Sequence, residues 1–209
     1  MGQLEETIRA IRPADRAAAR ECQSRWDGIA KPLHSLGKME DLLVQIAGIQ
    51  RDPRISIRKK GLVIMCADNG VVEEGVTQTG QEVTAIVAEN FLDANSCAAI
   101  MCRESGTDIF PIDIGMAVDT PRVEKHKIAY GTANFTKGPA MSREEAVAAI
   151  EVGIAKVREL KEQGYEILAT GEMGIGNTTT SSAVTSVLLD VDPEQVTGRG
   201  AGLTTEGLR

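Results

Sequence analysis

Residues 171–180 read Gly-Glu-Met-Gly-Ile-Gly-Asn-Thr-Thr-Thr. Gly171 and Gly176 have the GxxxxG spacing of a phosphate loop, and hydroxyl residues follow. Glycines let a backbone curl so that successive N–H groups point inward. A helix starting there adds its positive N-terminal end. Gly174, Gly176 and the N–H groups of Asn177 to Thr179 could thus hold a phosphate, with the threonine hydroxyls as further donors. A nucleoside triphosphate needs a lysine before the hydroxyl residue and a metal ion. Asn177 occupies the lysine position. The loop therefore points to a monophosphate and away from ATP hydrolysis. The same residues also fit a glycine-rich turn leading into a threonine-rich helix cap. Glu172 would repel an anion if it pointed inward, so it should face a ribose hydroxyl or a ring N–H, unless it is a surface carboxylate. A second glycine loop, Gly198-Arg199-Gly200-Ala201-Gly202, offers Arg199 as a phosphate partner or as a solvated turn residue.

Elements that could position these residues are legible in the hydropathy pattern. Gly61–Ala67 is an apolar run between Lys60 and Asp68, the mark of a strand buried on both faces. Further strands are expected at 108–114, 127–130 and 166–170. Residues 4–28 predict one or two helices interrupted near Pro13, with Asp15 able to cap the second. Residues 38–50 predict an amphipathic helix with Leu42, Leu43, Ile46 and Ile49 on one face. Thr79–Glu82 and Ser142–Glu145 both fit capping boxes, the second opening a helix that Gly164 should stop. Cys97 and Cys102 fall in another predicted helix, and residues 178–189 predict the helix that follows the first glycine loop.

Strands alternating with helices imply a parallel sheet covered on both sides. Ligands bind such sheets at the carboxyl ends of the strands. Asp68-Asn69-Gly70, Asp113-Ile114-Gly115 and the 171–180 loop all fall there. The expected fold class is α/β: a Rossmann-like three-layer domain with a parallel β-sheet over residues 38–209, preceded by an N-terminal helical segment, 1–37, that forms part of a small domain.

Composition narrows the function. The chain has 209 residues, 42% of them hydrophobic and 25% charged, enough for one α/β domain or one domain with a small satellite. A net charge of −7 without a lysine or arginine stripe argues against nucleic acid. No apolar run reaches the ~18 residues of a membrane span, and the acidic, polar N-terminus is no signal peptide. Cys22, Cys66, Cys97 and Cys102 show no CxxC spacing and read as structural thiols in a reducing cytoplasm. His34 and His126 lack partners at metal-ligand spacing, so no metal is expected.

Taken together, the chain resembles the nicotinate-nucleotide–dimethylbenzimidazole phosphoribosyltransferase family of cobalamin biosynthesis. The resemblance rests on Lys31-Pro32…Ser35-Leu36-Gly37, Ala67–Val72, Gln81-Glu82-Val83-Thr84, Gly171–Thr179 and Gly198–Leu203, in family order and over nearly the whole chain. It implies transfer of ribose 5-phosphate from nicotinate mononucleotide to a benzimidazole-type base, with inversion to the α configuration. The products would be α-ribazole 5′-phosphate and nicotinate, with no metal or redox cofactor. By resemblance, Gly174, Ile175, Gly176, Asn177 and Thr178 line the phosphate and ribose. Glu172 lies close to the reacting centre in an accessory part, Gln81 lies in the benzimidazole pocket, and Gly200 belongs to the second phosphate contact. A cytoplasmic homodimer is expected.

The chain departs from the family pattern at several points. His34 stands where the family has the glycine of KPxGSLG, and Asn69 where it has a histidine. The family's principal catalytic glutamate, in a late Leu-Gly-Glu-Gly segment, has no counterpart among these residues. Neither has a phosphate-contacting lysine after the second glycine loop, nor the helices that complete the small domain. The expectation is a C-terminally truncated chain that binds the donor phosphate and does little chemistry alone. The alternative is a non-catalytic nucleotide-binding or regulatory subunit that needs a partner chain. Retention of Glu172, Gln81 and the Asp68 loop speaks against a bare phosphate binder.

Overall fold

The computed structural model describes residues 2–208. The chain divides into two compact units, Met1–Arg58 and Lys59–Arg209. This differs from the boundary expected after residue 37, because the helix at 38–50 packs on its N-terminal neighbour.

The first unit holds α1 (Gln3–Ala10), α2 (Arg16–Asp27) and α3 (Lys38–Gln50). Asp15 caps α2 as expected, its carboxylate accepting from the Ala17 and Ala18 amides at 2.7 and 3.1 Å. Such a cap contributes about 1 kcal/mol. The expected face of α3 is not the buried one: Leu42 and Ile49 are exposed, while Ala47 and Gly48 are buried. Small size decides this. A side chain at Gly48 would meet the Asp15 carbonyl at 3.2 Å and the Ala14 methyl at 3.4 Å, so glycine lets α3 approach the start of α2 without displacing it. The 31–37 turn closes on Glu40, which is fully buried. Its Oε1 lies 2.8 Å from Lys31 Nζ and accepts from the Leu36 amide at 3.0 Å. The Lys31 ammonium, followed by the Leu36 N–H, holds the Glu40 carboxyl below its ordinary range. His34 has φ +55°, the left-handed region that favours glycine.

The second unit is a three-layer α/β domain. Its elements are β1 (Lys60–Ala67), α4 (Glu82–Leu92), α5 (Cys97–Ser105), β2 (Thr107–Gly115), β3 (Glu124–Lys125), α6 (Arg143–Glu162), β4 (Ile167–Met173), α7 (Asn177–Leu189) and α8 (Pro193–Val196). The four strands are parallel in the order β3-β2-β1-β4. Alternation along β1 builds the core on both faces. Ile64 and Cys66 pack with Ala85, Ala88 and Phe91 of α4, while Val63 packs with Ile112 and with Leu160 of α6. Burial pushes the Cys66 thiol up to about 12.

Two local expectations are corrected. Lys127–Tyr130 is not a strand; β3 forms instead at Glu124–Lys125. Lys127 turns inward, its ammonium 3.1 Å from Asp113 Oδ2 and donating to the Met116 and Val118 carbonyls. The Thr79 capping box does not form: Gln81 is the N-cap of α4 and makes no side-chain cap bond. The Ser142 box forms fully, and α6 ends before Gly164 at φ +86°. All four thiols are free, with Cys22, Cys66 and Cys102 buried. Among the described residues no helix is long and apolar enough to cross a membrane, and no cluster of His, Cys, Asp and Glu could hold a metal.

Candidate active site

The strands end level with one another. Cys66 of β1 pairs with Asp113 of β2 and with Met173 of β4, so the chain leaves all three at one edge. Asp68 follows β1 and is fully buried. Its Oδ1 accepts from Thr84 Oγ1 at 2.6 Å and its Oδ2 from the Ala117 amide at 2.7 Å. Burial pushes the Asp68 carboxyl above its ordinary range, against the lowering pull of these two donors. Asn69 acts as a bracket. Its Nδ2 donates to the Ile175 carbonyl and its Oδ1 accepts from Thr180 Oγ1, each at 3.0 Å. Gly70 passes under the 132–134 segment so closely that a side chain would lie 2.4 Å from the Thr132 carbonyl.

The glycines of the 171–176 loop have separate duties. Gly171 lies within β4, opposite Ile64. Gly174 crosses the end of β1, where a Cβ would sit 2.1 Å from the Ala67 carbonyl. Gly176 takes φ +88° as the N-cap of α7 and packs on Val72. The amides divide in the same way. Ile175 N–H donates inward to Thr84 Oγ1 at 3.0 Å. Asn177 N–H closes a turn on the Gly174 carbonyl, and Thr179 N–H another on the Gly176 carbonyl. Among the described residues, the amides of Gly176 and Thr178 have no hydrogen-bond partner. Unpaired amides at a helix N-terminus form an anion site.

Gly176 and Thr178 line a cavity of about 180 Å³. Its other walls come from the 76–79 segment, Ser182 of α7 and the second glycine loop. Gln78 donates to the Gly202 carbonyl and ties two of these walls together. Gly200, at φ +55°, lies over Thr178, where a Cβ would meet the hydroxyl at 2.7 Å. The lining includes the cation Arg199, several hydroxyls and no carboxylate. Arg199 Nη2 donates to Thr205 Oγ1 at 2.8 Å, leaving further guanidinium donors. The cavity is therefore suited to an anion small enough to sit on two amides.

Residues 11–209 match the model of a phosphoribosyltransferase family, DBI_PRT. The chain belongs to this family. A nicotinate-nucleotide–dimethylbenzimidazole phosphoribosyltransferase of Clostridium tetani is 47% identical over 206 residues, which cover 98% of this chain and 57% of the relative. One from Ruminiclostridium cellulolyticum is 48% identical, covering 98% of this chain and 59% of the relative. The crystal structure of CobT from Thermus thermophilus superposes with a TM-score of 0.87 at 36% identity, over 92% of this chain and 59% of that one. The chain thus spans somewhat under three fifths of the length of these relatives.

In this phosphoribosyltransferase-family domain, Ile175, Gly176, Asn177, Thr178 and Gly200 all line the same cavity. Gly174 supports it from below. Gln81 and Glu172 lie outside its walls. Gln81 Nε2 donates to the Asn69 carbonyl at 3.1 Å, which leaves its own amide oxygen as an acceptor. Glu172 is exposed on β4, opposite Met65, and its Oε1 accepts from Asn177 Nδ2 at 2.5 Å. Asn177, at the position of a triphosphate loop's lysine, thus holds a carboxylate instead of reaching for phosphate. Sequence reasoning missed Gln78, Ser182 and Thr197 as cavity residues. Only the polar character of 77–79 hinted at the first. A second, mainly apolar cavity of about 510 Å³ opens at the ends of β1 and β2, lined by Ala67, Ile114, Ile128, Met141 and Ala149 among others.

Proposed function

We propose that this domain serves the transfer of ribose 5-phosphate from nicotinate mononucleotide to 5,6-dimethylbenzimidazole or a related base. The observation that carries this reading is the pair of unpartnered amides, Gly176 and Thr178, in a carboxylate-free cavity beside Arg199. Two amides, a helix end and one guanidinium match a single phosphate monoester. In the reaction the bond between the ribose anomeric carbon and the pyridinium nitrogen breaks, and its electron pair leaves with nicotinate. A lone pair on the base nitrogen forms the new bond from the opposite face, and the base then gives up its N–H proton to a carboxylate. Positioning and proton acceptance are the parts a protein must supply. On this reading Gly174, Ile175, Gly176, Asn177, Thr178 and Gly200 form the phosphate and ribose site. The Gln81 amide oxygen faces the base, and Glu172 has an accessory part near the reacting atoms. The family resemblance supports a cytoplasmic homodimer as the working assembly.

Calorimetric titration of the 209-residue chain with nicotinate mononucleotide, followed by amide chemical shifts, tests this. Binding with the largest shifts at Gly176 and Thr178, and competition by inorganic phosphate, is the expected result. No shift at these amides at millimolar ligand would overturn the reading. Binding of mononucleotides without recognition of dimethylbenzimidazole would favour a nucleotide-binding module.

A further inference from the structure

The loop that lines the cavity has no lysine to fix it and presents only some of its amides, so something must set which ones. Three fully or partly buried groups meet beneath it. Asp68 and Thr84 are both fully buried, and neither lines the cavity. The Thr84 hydroxyl has one proton, and it goes to Asp68 Oδ1 at 2.6 Å. Towards Ile175 the same oxygen can act only as an acceptor, and the Ile175 N–H donates to it at 3.0 Å. Asp68 is fixed in turn by the Ala117 amide at 2.7 Å and, through its own N–H, by the Gly115 carbonyl at 2.9 Å. The Ile175 carbonyl is held from the other side by Asn69 Nδ2. Ile175 therefore has both backbone polar groups committed inward, while the amides of Gly176 and Thr178 are left without a partner among the described residues.

We propose that Thr84 is a positioning residue for phosphate binding: bridging Asp68 to the Ile175 amide, it fixes the turn so that the Gly176 and Thr178 amides face the cavity. The proposal rests on the mononucleotide reading above. Its geometry is directional. The Ile175 N–H can only donate, so it takes a lone pair of the Thr84 oxygen and the Thr84 proton is left to point to Asp68. A bridge with the opposite polarity could not hold an N–H. Valine at 84 keeps the shape of threonine and removes the bridge, whereas serine keeps the hydroxyl.

The test uses the full 209-residue chain with Thr84→Val and Thr84→Ser. Amide hydrogen exchange at residues 174–179, affinity for nicotinate mononucleotide and the denaturation midpoint are measured on each. In the unsubstituted chain the Ile175 amide should be protected, while Gly176 and Thr178 exchange freely until ligand is added. Thr84→Val should speed Ile175 exchange and weaken binding by about tenfold, the loss of roughly one hydrogen bond's worth of order. Thr84→Ser should restore both to within about twofold. Weakened binding in Thr84→Val with Ile175 exchange unchanged would overturn the bridge, as would equal loss in both variants. If Thr84→Val does not fold, the unsubstituted chain still decides: an Ile175 amide exchanging as fast as that of Gly176 refutes the proposal. If the unsubstituted chain binds no mononucleotide, the ligand assignment fails, and exchange at Ile175 alone decides the bridge.

Discussion

Replacing Gly174 by alanine should separate the two halves of the site. A Cβ there would lie 2.1 Å from the Ala67 carbonyl oxygen, 3.0 Å from Asn69 Nδ2 and 3.3 Å from the Ala67 carbonyl carbon. The nearest of these is backbone at the end of the central strand, which is paired on both sides and cannot swing away like a side-chain tip. An acceptable carbon–oxygen contact needs about 3.3 Å, so the loop must retreat by roughly 1.2 Å. That movement would stretch the Ile175–Thr84 and Asn69–Ile175 bonds, both now 3.0 Å, past useful length. Overpacking costs about 1–3 kcal/mol and each weakened bond about 1 kcal/mol, so a stability loss of about 4 kcal/mol is expected. A displacement of this size at a site built on aligned amides should also cost about 100-fold in mononucleotide affinity. Gly138→Ala is the control: nothing lies within 4 Å of its Cβ position, and its midpoint should move by less than about 0.5 kcal/mol. Urea denaturation and calorimetric titration measure both quantities. A Gly174→Ala chain with affinity and midpoint close to those of the unsubstituted one would refute the close-packing argument.

At His34, φ +55° penalises a β-branched side chain, so His34→Val should lower stability by about 1–2 kcal/mol, whereas His34→Gly should be close to neutral because relieved strain is offset by chain entropy. Denaturation midpoints of the two variants provide the check. A pH series tests the ion pairs of Arg122, whose guanidinium bonds Asp93 Oδ1 and Oδ2 at 2.7 Å and Glu89 Oε2 at 2.7 Å. Arg122 holds the Asp93 carboxyl below its ordinary value of 3.8. At Glu89 burial pushes the carboxyl up, but Arg122 outweighs it and the net shift is below the ordinary 4.5. Depressed carboxyl values stabilise the fold above the unfolded values and lose that contribution as pH falls through the folded ones. The midpoint difference between the unsubstituted chain and Arg122→Gln should therefore be constant from pH 7 to about 5 and shrink below about pH 4. A difference that grows in acid would contradict the assignment.

Much of the fold was legible because apolar runs and glycine punctuation report burial directly. β1, β2 and β4 stand where continuous hydrophobic residues occur, and Ser142 and Gly164 bracket α6. What escaped was governed by tertiary packing. α3 buries Ala47 and Gly48 because small residues admit a close neighbour, a preference invisible to hydrophobic periodicity. β3 is the charged pair Glu124–Lys125, and Glu124 also accepts from the buried Lys156 of α6 at 2.7 Å. Thr79–Glu82 and Ser142–Glu145 match one pattern, yet only the second forms a box. At the first, the Glu82 carboxylate lies over Gly80, where a side chain would collide with it, and the Thr77 hydroxyl is spent on the Thr79 carbonyl.

The site shows the same division between residue types and directions. The glycine spacing identified the loop, and the missing lysine argued for one phosphate. It could not say which amides are free. Spacing suggested the N–H groups of Asn177 to Thr179 as donors, but Asn177 and Thr179 close turns on Gly174 and Gly176, which leaves Gly176 and Thr178. Which N–H faces outward depends on groups far away in sequence, Asp68, Asn69 and Thr84, whose side chains consume the inward-facing half of the loop. Asn69 illustrates the point. Its amide offers a donor and an acceptor on one short side chain, and both are used, on the Ile175 carbonyl and the Thr180 hydroxyl. Asn69→Asp removes the donor and leaves the Ile175 carbonyl unpaired, and Asn69→Leu removes both functions and leaves the Thr180 hydroxyl without its acceptor as well. The proposed anion site is thus a property of the bracket beneath the glycines as much as of the glycines themselves.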